Sequence, residues 1–522
     1  MNFAHLVDGI ADTAPNRLAL IVVPGQGAPE EITYRDLSLI SNRLAHSFQA
    51  QGIERGTRVM VLLPRGVDAY LTYLALLKAG ATIMPGSEML RATDVLYRVQ
   101  HAEAEAIVAH ESLIPIIEPI QSEMPSVKSY IGRSAQTSGG WTSLEDLKVQ
   151  GSPDPVRADV RPDDLAFLSY TSGTTGGPKG VMHTYRWPFE HLKVAGTHWF
   201  DAHPEDVAWA TAGPGWAKWV WSPFVSVLGN GATGFVYQGR FDPEKYLSLL
   251  AAHHVTLLCA TPTEYRMMAK VPHLERFTLA LRSATSAGEP LNREVIETFR
   301  RAFGVDVRDG YGQTENTLLV GTWKDTEMRP GSMGRPFPGL PVAIVNDQGE
   351  PVPPGVVGRI GVRRDHPGLF RGYLNDPERT RAAYRGEWYS TGDQGRMDED
   401  GYIWFEGRAD DIIISAGYTI GPFEVEDALV KHPKVAECAV VASPDEERGH
   451  IVKAFVVLRD PGDKKTPGLA EELQAHVKAI TAPYKYPRAI EFVDALPKTT
   501  SGKIRRIELR EREQSRATRR PS

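Results

Sequence analysis

Short apolar runs of β type alternate with amphipathic helical stretches along most of this chain. Val59–Leu63 predicts a strand and Val67–Ala79 a helix behind it. Ala106–Ala109 and Leu165–Leu168 predict further strands. Leu257–Ala260 predicts a strand ending at Thr261-Pro262, with a helix beginning at Glu264 and reaching Ala269. This alternation implies an α/β architecture with parallel sheet. Ser152–Asp164 is rich in Pro and Asp and reads as a connection. Pro330–Pro341 is dense in breakers and precedes two strand-like segments, Val342–Val345 and Gly358–Val362, with a Pro-Pro-Gly turn between them.

The pattern changes near residue 409. Met397–Glu406 reads as a hairpin turning at Asp400-Gly401, and Gly407–Asp411 follows as a boundary. Beyond it come a helix at Val425–Lys431, strands at Val435–Ala442 and Val452–Leu458, a helix at Leu469–Ile480 and a strand at Ala489–Phe492. That set is enough for a small α+β domain. The expected division is 1–409 and 410–522, and the arginine-rich tail after Lys503 is expected to be a solvated helix end.

Composition narrows the class. A chain of 522 residues is too long for one core. Its 42% apolar and 24% charged residues are globular values, so disorder is not the default. A net charge of −6 gives no basic face for nucleic acid or an anionic membrane. Cys259 and Cys438 lie far apart in apolar runs and are expected as buried thiols in a reducing cytosol, not as a disulfide or metal pair. The first residues lack a basic flank before a long apolar core, and no stretch is long enough to span a bilayer. A soluble cytoplasmic protein is the expectation.

Candidate chemistry centres on Tyr170–Gly180, YTSGTTGGPKG. Gly173 and its neighbouring glycines leave backbone N–H groups free to close on phosphate oxygens. Thr171, Ser172, Thr174 and Thr175 add hydroxyls, and Lys179 adds a charge. It is not the common P-loop, because, counting from Gly173, Pro178 stands where that motif has its second glycine, and Gly180 follows Lys179 where the motif has a hydroxyl. Alone, the run is equally compatible with a polar surface loop.

Four further segments follow in order: DGYGQTE at Asp309–Glu315, WYSTGD at Trp388–Asp393, GRADDIIISAGYTIGPFEVE at Gly407–Glu426, and PKTTSGK at Pro497–Lys503. With the glycine-rich loop they resemble the adenylate-forming superfamily of acyl-CoA synthetases, adenylation domains and luciferases. Gly213–Trp221 and Leu257–Met268 look most like the medium-chain and branched-chain acyl-CoA synthetases. The resemblance implies a large N-terminal adenylate-forming domain and a small mobile C-terminal domain. It implies ATP, Mg²⁺ and coenzyme A, and a small carboxylic acid as substrate. Thr171 through Thr175 and Lys179 inherit phosphate binding, with Thr174 in a catalytic role. Glu315 resembles the family's magnesium-associated glutamate. Asp393, supported by Arg408, inherits the ribose. Gly288, Glu289, Pro290, Asp309, Gly310, Tyr311 and Thr314 inherit the nucleotide slot. Lys503 is the implied catalytic lysine, Asp410 the implied hinge, and Gly417 and Lys478 implied CoA contacts. Thr419 departs from the arginine common in relatives, which puts pyrophosphate handling in doubt.

Trp216, Lys218, Ala287 and Gly312 are the candidate acyl pocket. Acetate-specific relatives carry tryptophan where Gly312 stands, so several more carbons are expected to fit. Lys218 has two readings. It greets a second oxygen function on the acid, or it is paired internally near Glu264 with Trp216, Trp219 and Trp221 around its stem. Its charge argues against an amino-acid substrate. The preferred substrate is a short- to medium-chain or branched aliphatic acid. The alternatives are an aromatic, hydroxy or dicarboxylic acid, a carrier-loading adenylating enzyme, and a catalytically silent nucleotide sensor. Acetylation of Lys503 would remove its charge, so a lysine acetyltransferase and deacetylase are candidate partners. The sequence leaves monomer and homo-oligomer open.

Overall fold

Nearly every expected apolar run becomes a strand. The computed structural model describes residues 1–133, 140–171, 178–288, 291, 293–408, 411, 413–415, 418–445, 448–481, 483–498 and 504–518. The helix Val67–Ala79 and the strands Ala106–Ala109, Leu257–Ala260, Val342–Val345 and Ala489–Phe492 have the expected bounds. The helix expected from Glu264 begins earlier, at Pro262. Thr261 caps it, and Glu264 returns a carboxylate oxygen to the Thr261 N–H at 2.7 Å, so proline takes the first helical position where its missing N–H is harmless.

The chain divides into two compact units, Met1–Pro341 with Arg364–Ala382, and Val342–Arg363 with Ala383–Ser522. The boundary expected between 409 and 410 falls on residues outside the described set.

The first unit holds two large sheets. One is nine-stranded. At its centre Leu18–Val23, Thr233–Tyr237, Val207–Ala210, Leu257–Ala260, Ser283–Ala287 and Val307–Gly312 run parallel. Trp209, Tyr246, Leu250, Tyr265 and Phe299 bury one core against it. In the eight-stranded sheet Arg58–Leu62, Thr82–Pro85 and Ala106–Ala109 are parallel, and Leu165–Thr171 joins beside Thr82–Pro85. Lys179–Thr184 returns antiparallel to Leu165–Thr171, and Gly372–Tyr373 pairs with Val181 and Met182 outside it. The helix Val67–Ala79 is almost wholly buried, Lys78 included. The Lys78 ammonium donates to Asp8, Ser41 and Asn42 at 2.7–2.8 Å, the full pairing that a buried cation requires.

In the second unit, Val342–Val345, Gly358–Arg363, Tyr384–Arg385, Trp388–Met397 and Ile403–Arg408 form a five-stranded sheet. Val435–Asp445, Gly449–Leu458 and Ala489–Phe492 form a three-stranded sheet. Buried side chains of Pro422–Val430 and Leu469–Ile480 join its core. The tail is more than a solvated helix end. The helix Arg506–Thr518 buries Leu509 with Ala439, Val441 and Phe455, and Glu513 accepts from Ser443 and Lys453 at 2.8 and 2.7 Å. One fully buried apolar residue joins the core from this arginine-rich run, and ion pairs from Arg506, Arg510, Arg512, Glu513 and Arg516 hold the helix beside it. Both cysteines are buried and free. Among the described residues no helix is long and apolar enough to cross a membrane.

Candidate active site

The glycine-rich loop connects two paired strands, with Thr171 opposite Lys179. Ser172, Gly173, Thr174 and Thr175 lie outside the described residues. The shoulders of the loop are held by the helix Ala92–Ala102. Tyr97 donates its hydroxyl to Pro178 O at 3.0 Å, and His101 Nδ1 meets the Tyr170 hydroxyl at 2.8 Å. Thr171 Oγ1 is buried with no partner among the described residues. Lys179 Nζ lies 3.5 Å from Glu315 Oε1 and 3.5 Å from the Tyr373 hydroxyl, 4.8 Å above that ring.

Glu315 sits in the loop after Val307–Gly312, and several groups fix it. Tyr373 donates to Glu315 Oε1 at 2.9 Å, and the Phe370 N–H donates to Glu315 O at 2.8 Å. His183 Nε2 meets Thr314 O at 2.5 Å, so that nitrogen carries the ring proton. Trp187 Nε1 donates to Asn316 O at 3.0 Å, and His191 Nδ1 meets Thr317 Oγ1 at 2.6 Å. Burial lowers His183 to about 4 and His191 to about 3. Both rings are therefore neutral near pH 7 and hold the loop without adding charge. The donor set fits a hard divalent cation. Glu315 offers one buried carboxylate beside the Lys179 ammonium. No cluster of three or more His, Cys, Asp or Glu occurs among the described residues, so such an ion would complete its shell with nucleotide oxygens and water.

The ends of two adjacent parallel strands bring together Ala287, Gly288 and Asp309–Gly312, with Ala287 opposite Gly310. Ligands of parallel sheets collect at such carboxyl ends. Gly288 has φ +102°, a left-handed conformation that suits glycine. Glu289 and Pro290 lie outside the described residues. Asp309 Oδ1 accepts the Gly310 N–H at 2.9 Å. Burial pushes the Asp309 carboxyl up to about 7, against that hydrogen bond and the charge of Lys218. Asp309 lines a cleft with Leu291, Ile296, Val307, Thr322 and Met328.

Lys218 is paired internally, by partners other than those expected. Its ammonium donates to Ala287 O at 2.9 Å and faces Asp309. Glu264 is engaged elsewhere, as helix cap and acceptor from Thr211 at 2.7 Å. Two of the three indoles are committed to aromatic clusters: Trp219 packs on Tyr70, Tyr73 and Phe224, and Trp221 on Trp187 and His191. A Cβ on Gly215 would stand 2.3 Å from Ser87 Cα, so glycine permits the close approach that sets up Trp216 and Lys218. A Cβ on Gly312 would stand 2.3 Å from Thr317 O. A tryptophan there would need these backbone segments to move apart.

In the second unit Asp393 is buried on Trp388–Met397, directly opposite Arg408 of Ile403–Arg408. Asp410, Gly417 and Lys503 lie outside the described residues. Lys498 and Ile504, which flank the segment containing Lys503, pair with each other. Lys498 bonds Glu437 at 2.7 Å, Arg506 bonds Glu426 at 2.6 Å, and Arg510 bonds Asp411. Lys478 Nζ lies 3.9 Å from the Tyr486 ring centroid, a cation–π contact.

Sequence reasoning missed Tyr373, His183, Trp187 and His191. The last three stand four residues apart just behind the glycine-rich loop. That spacing of polar aromatics was the available signal. Tyr373 left none, since its partner is 58 positions away.

The AMP-binding enzyme family matches residues 8–374, and the AMP-binding enzyme C-terminal domain matches 424–503. The uncharacterized acyl-CoA ligase YtcI of Bacillus subtilis (strain 168) is 54% identical, over 96% of this chain and 94% of that one. Mouse mitochondrial acyl-coenzyme A synthetase ACSM3 is 41% identical, over 94% of this chain and 86% of its own. Among solved structures, the anthranilate CoA ligase AuaEII with anthranoyl-AMP superposes with a TM-score of 0.90 at 28% identity, covering 99% of this chain and 98% of that one. ATP-bound MatB from Rhodopseudomonas palustris superposes with a TM-score of 0.87 at 28% identity, covering 98% and 99%. The family is ATP-dependent and adenylate-forming. The chain belongs to the AMP-binding enzyme family and is an AMP-forming acyl-CoA synthetase, a carboxylic acid–CoA ligase.

Proposed function

We propose that this enzyme activates a short- to medium-chain or branched aliphatic acid, using magnesium with ATP and passing the acyl group to coenzyme A in the cytoplasm. The observation that carries the acyl assignment is the engagement of Lys218 by Ala287 O and Asp309. With one N–H donor given to Ala287 O and its charge facing Asp309, this lysine is matched by groups of the protein, which favours an acid without a second polar function.

In the first step a carboxylate oxygen attacks the α-phosphorus of ATP. An acyl-adenylate forms and pyrophosphate leaves. Thr171, Ser172, Gly173, Thr174, Thr175 and Lys179 hold phosphate oxygens. Glu315 would be the protein ligand for magnesium, which when bound would offset the negative charge of the phosphates. Gly288, Glu289, Pro290, Asp309, Gly310, Tyr311 and Thr314 line the base, and Asp393 with Arg408 takes the ribose hydroxyls. Lys503 meets the developing charge between carboxylate and α-phosphate. In the second step the CoA thiol attacks the acyl carbon and AMP leaves, with Gly417 and Lys478 along the CoA path. A turn about Asp410 exchanges the two steps between domains 1–409 and 410–522. Acetylation of Lys503 by a lysine acetyltransferase would stop the first step, and a deacetylase would restore it.

The test is pyrophosphate release with ATP, magnesium and CoA across acetate to octanoate, branched acids, hydroxy acids, glutarate and benzoate. A maximum among C4–C8 aliphatic acids is expected. A maximum at glutarate or a hydroxy acid would overturn the acyl assignment. The second reading is an aromatic acid, favoured by structural likeness to anthranilate and benzoate CoA ligases. A maximum at benzoate would establish it.

A further inference from the structure

Tyr373 stands between the two groups that the proposed function assigns to phosphate and metal, and the inference rests on that assignment. Its hydroxyl donates to Glu315 Oε1 at 2.9 Å. Lys179 approaches the same oxygen, but only to 3.5 Å. The lysine instead divides its charge between that oxygen, the tyrosine hydroxyl at 3.5 Å and the ring at 4.8 Å. A charge-assisted N–H···O contact normally closes to about 2.7–2.9 Å, so this pair is held short of full contact. Tyr373 cannot readily yield. Gly372–Tyr373 is paired to Lys179–Thr184, the Tyr373 N–H donates to Thr380 Oγ1 at 2.9 Å, and its ring packs on Phe370 at 4.9 Å. The same short segment holds the Glu315 backbone through the Phe370 N–H.

We infer that Tyr373 is a positioning residue that keeps Lys179 from closing onto Glu315, so that both stay available to a nucleotide phosphate and its magnesium ion. Without the hydroxyl, Lys179 and Glu315 collapse into a direct ion pair. MgATP must then break that pair before it binds.

The test is MgATP binding by calorimetry and by thermal shift across a magnesium titration, with no acid present. The proteins are wild type, Tyr373→Phe, Lys179→Met and the double variant. Tyr373→Phe keeps the ring and removes only the hydroxyl. It is expected to weaken MgATP binding about fivefold while leaving the ligand-free melting temperature equal or higher. In the Lys179→Met background the same change should cost less than about twofold, because no lysine remains to collapse. Equal losses in both backgrounds would overturn the inference, since the tyrosine would then act only through its own bond to Glu315. Unchanged binding in Tyr373→Phe would overturn it as well. If Lys179→Met and a further variant, Glu315→Gln, measured in the same way, bind MgATP like wild type, the nucleotide assignment fails and the inference falls with it.

Discussion

Two regions of this synthetase hold a loop of chemical importance, and they hold it by different means. In the first unit the Glu315 loop is fixed by neutral donors: His183, Trp187 and the Phe370 N–H, with His191 on Thr317. In the second unit the segment around Lys503 is flanked by ion pairs, Lys498–Glu437, Arg506–Glu426 and Arg510–Asp411. Buried neutral hydrogen bonds are little affected by salt and place no further charge beside the Glu315 carboxylate. Of these pairs only Lys498–Glu437 is exposed, and so weak and screened, whereas Glu426 and Asp411 are buried carboxylates that depend on their arginines. The first arrangement suits a carboxylate that must stand still. The second suits a lysine that, in the proposed cycle, serves one step only.

The sharpest way to break this contrast is Lys503→Ala. Adenylation, read as ATP–pyrophosphate exchange, is expected to fall roughly 10²–10³-fold. Thioester formation from preformed acyl-adenylate should fall far less. Equal losses in both steps would remove the one-step role of Lys503 and with it the reason for an anchor built from charges.

Next in size is Arg506→Leu. Glu426 is 7% exposed, and burial raises its carboxyl against the pull of Arg506. Removing the arginine leaves that acid unpaired, at a cost on the order of 2–3 kcal/mol, read as an earlier unfolding transition. Added salt should narrow the gap from wild type if the ion pair is what was lost. Glu426→Gln should cost less, because the amide still accepts the Val440 N–H that now meets Oε1 at 2.8 Å.

Acid sharpens the other side. His183 and His191 titrate near 4 and 3 in the folded protein, against 6.5 when free. Between those values the unfolded chain binds protons that the folded chain refuses. Their contribution is therefore complete above pH 6.5 and is lost as pH falls toward 4. Asp309, raised to about 7, acts oppositely and favours the folded state at low pH. His183→Gln, which can still donate to Thr314 O, should flatten the fall in melting temperature between pH 6.5 and 4.5. An unchanged slope would mean that His183 is not the acid-sensitive group.

Legibility followed sequence distance. The strand and helix runs were readable because each is local, and Val67–Ala79 and Leu469–Ile480 were bounded correctly. The five motifs were readable because in this order they resemble one superfamily, and the family matches bear that resemblance out. The docked tail was not, since its one leucine, Leu509, joins the core from among arginines and glutamates. Nor were the partners of Lys218, because Ala287 O is a backbone atom 69 positions away. A sequence marks which residues carry charge but not which carbonyl will meet them.

The smallest expected effect tests that last point. Lys218 lowers the Asp309 carboxyl, so Lys218→Met should raise it further above its value of about 7. If Asp309 accepts a hydrogen bond from the adenine amino group, protonation removes an acceptor, and the KM for ATP should climb as pH falls through 7. In Lys218→Met that climb should begin at higher pH, by less than about one unit for a single partly exposed charge. Asp309→Asn should flatten it, since the amide does not titrate. The ranking of carboxylic acids should stay the same in Lys218→Met, because the ammonium is held by Ala287 O and Asp309 and not by substrate. A reordered ranking with an unmoved pH profile would reverse the assignment. Lys218 would then belong to the acyl pocket, and the Asp309 side chain would be buried for reasons unrelated to it.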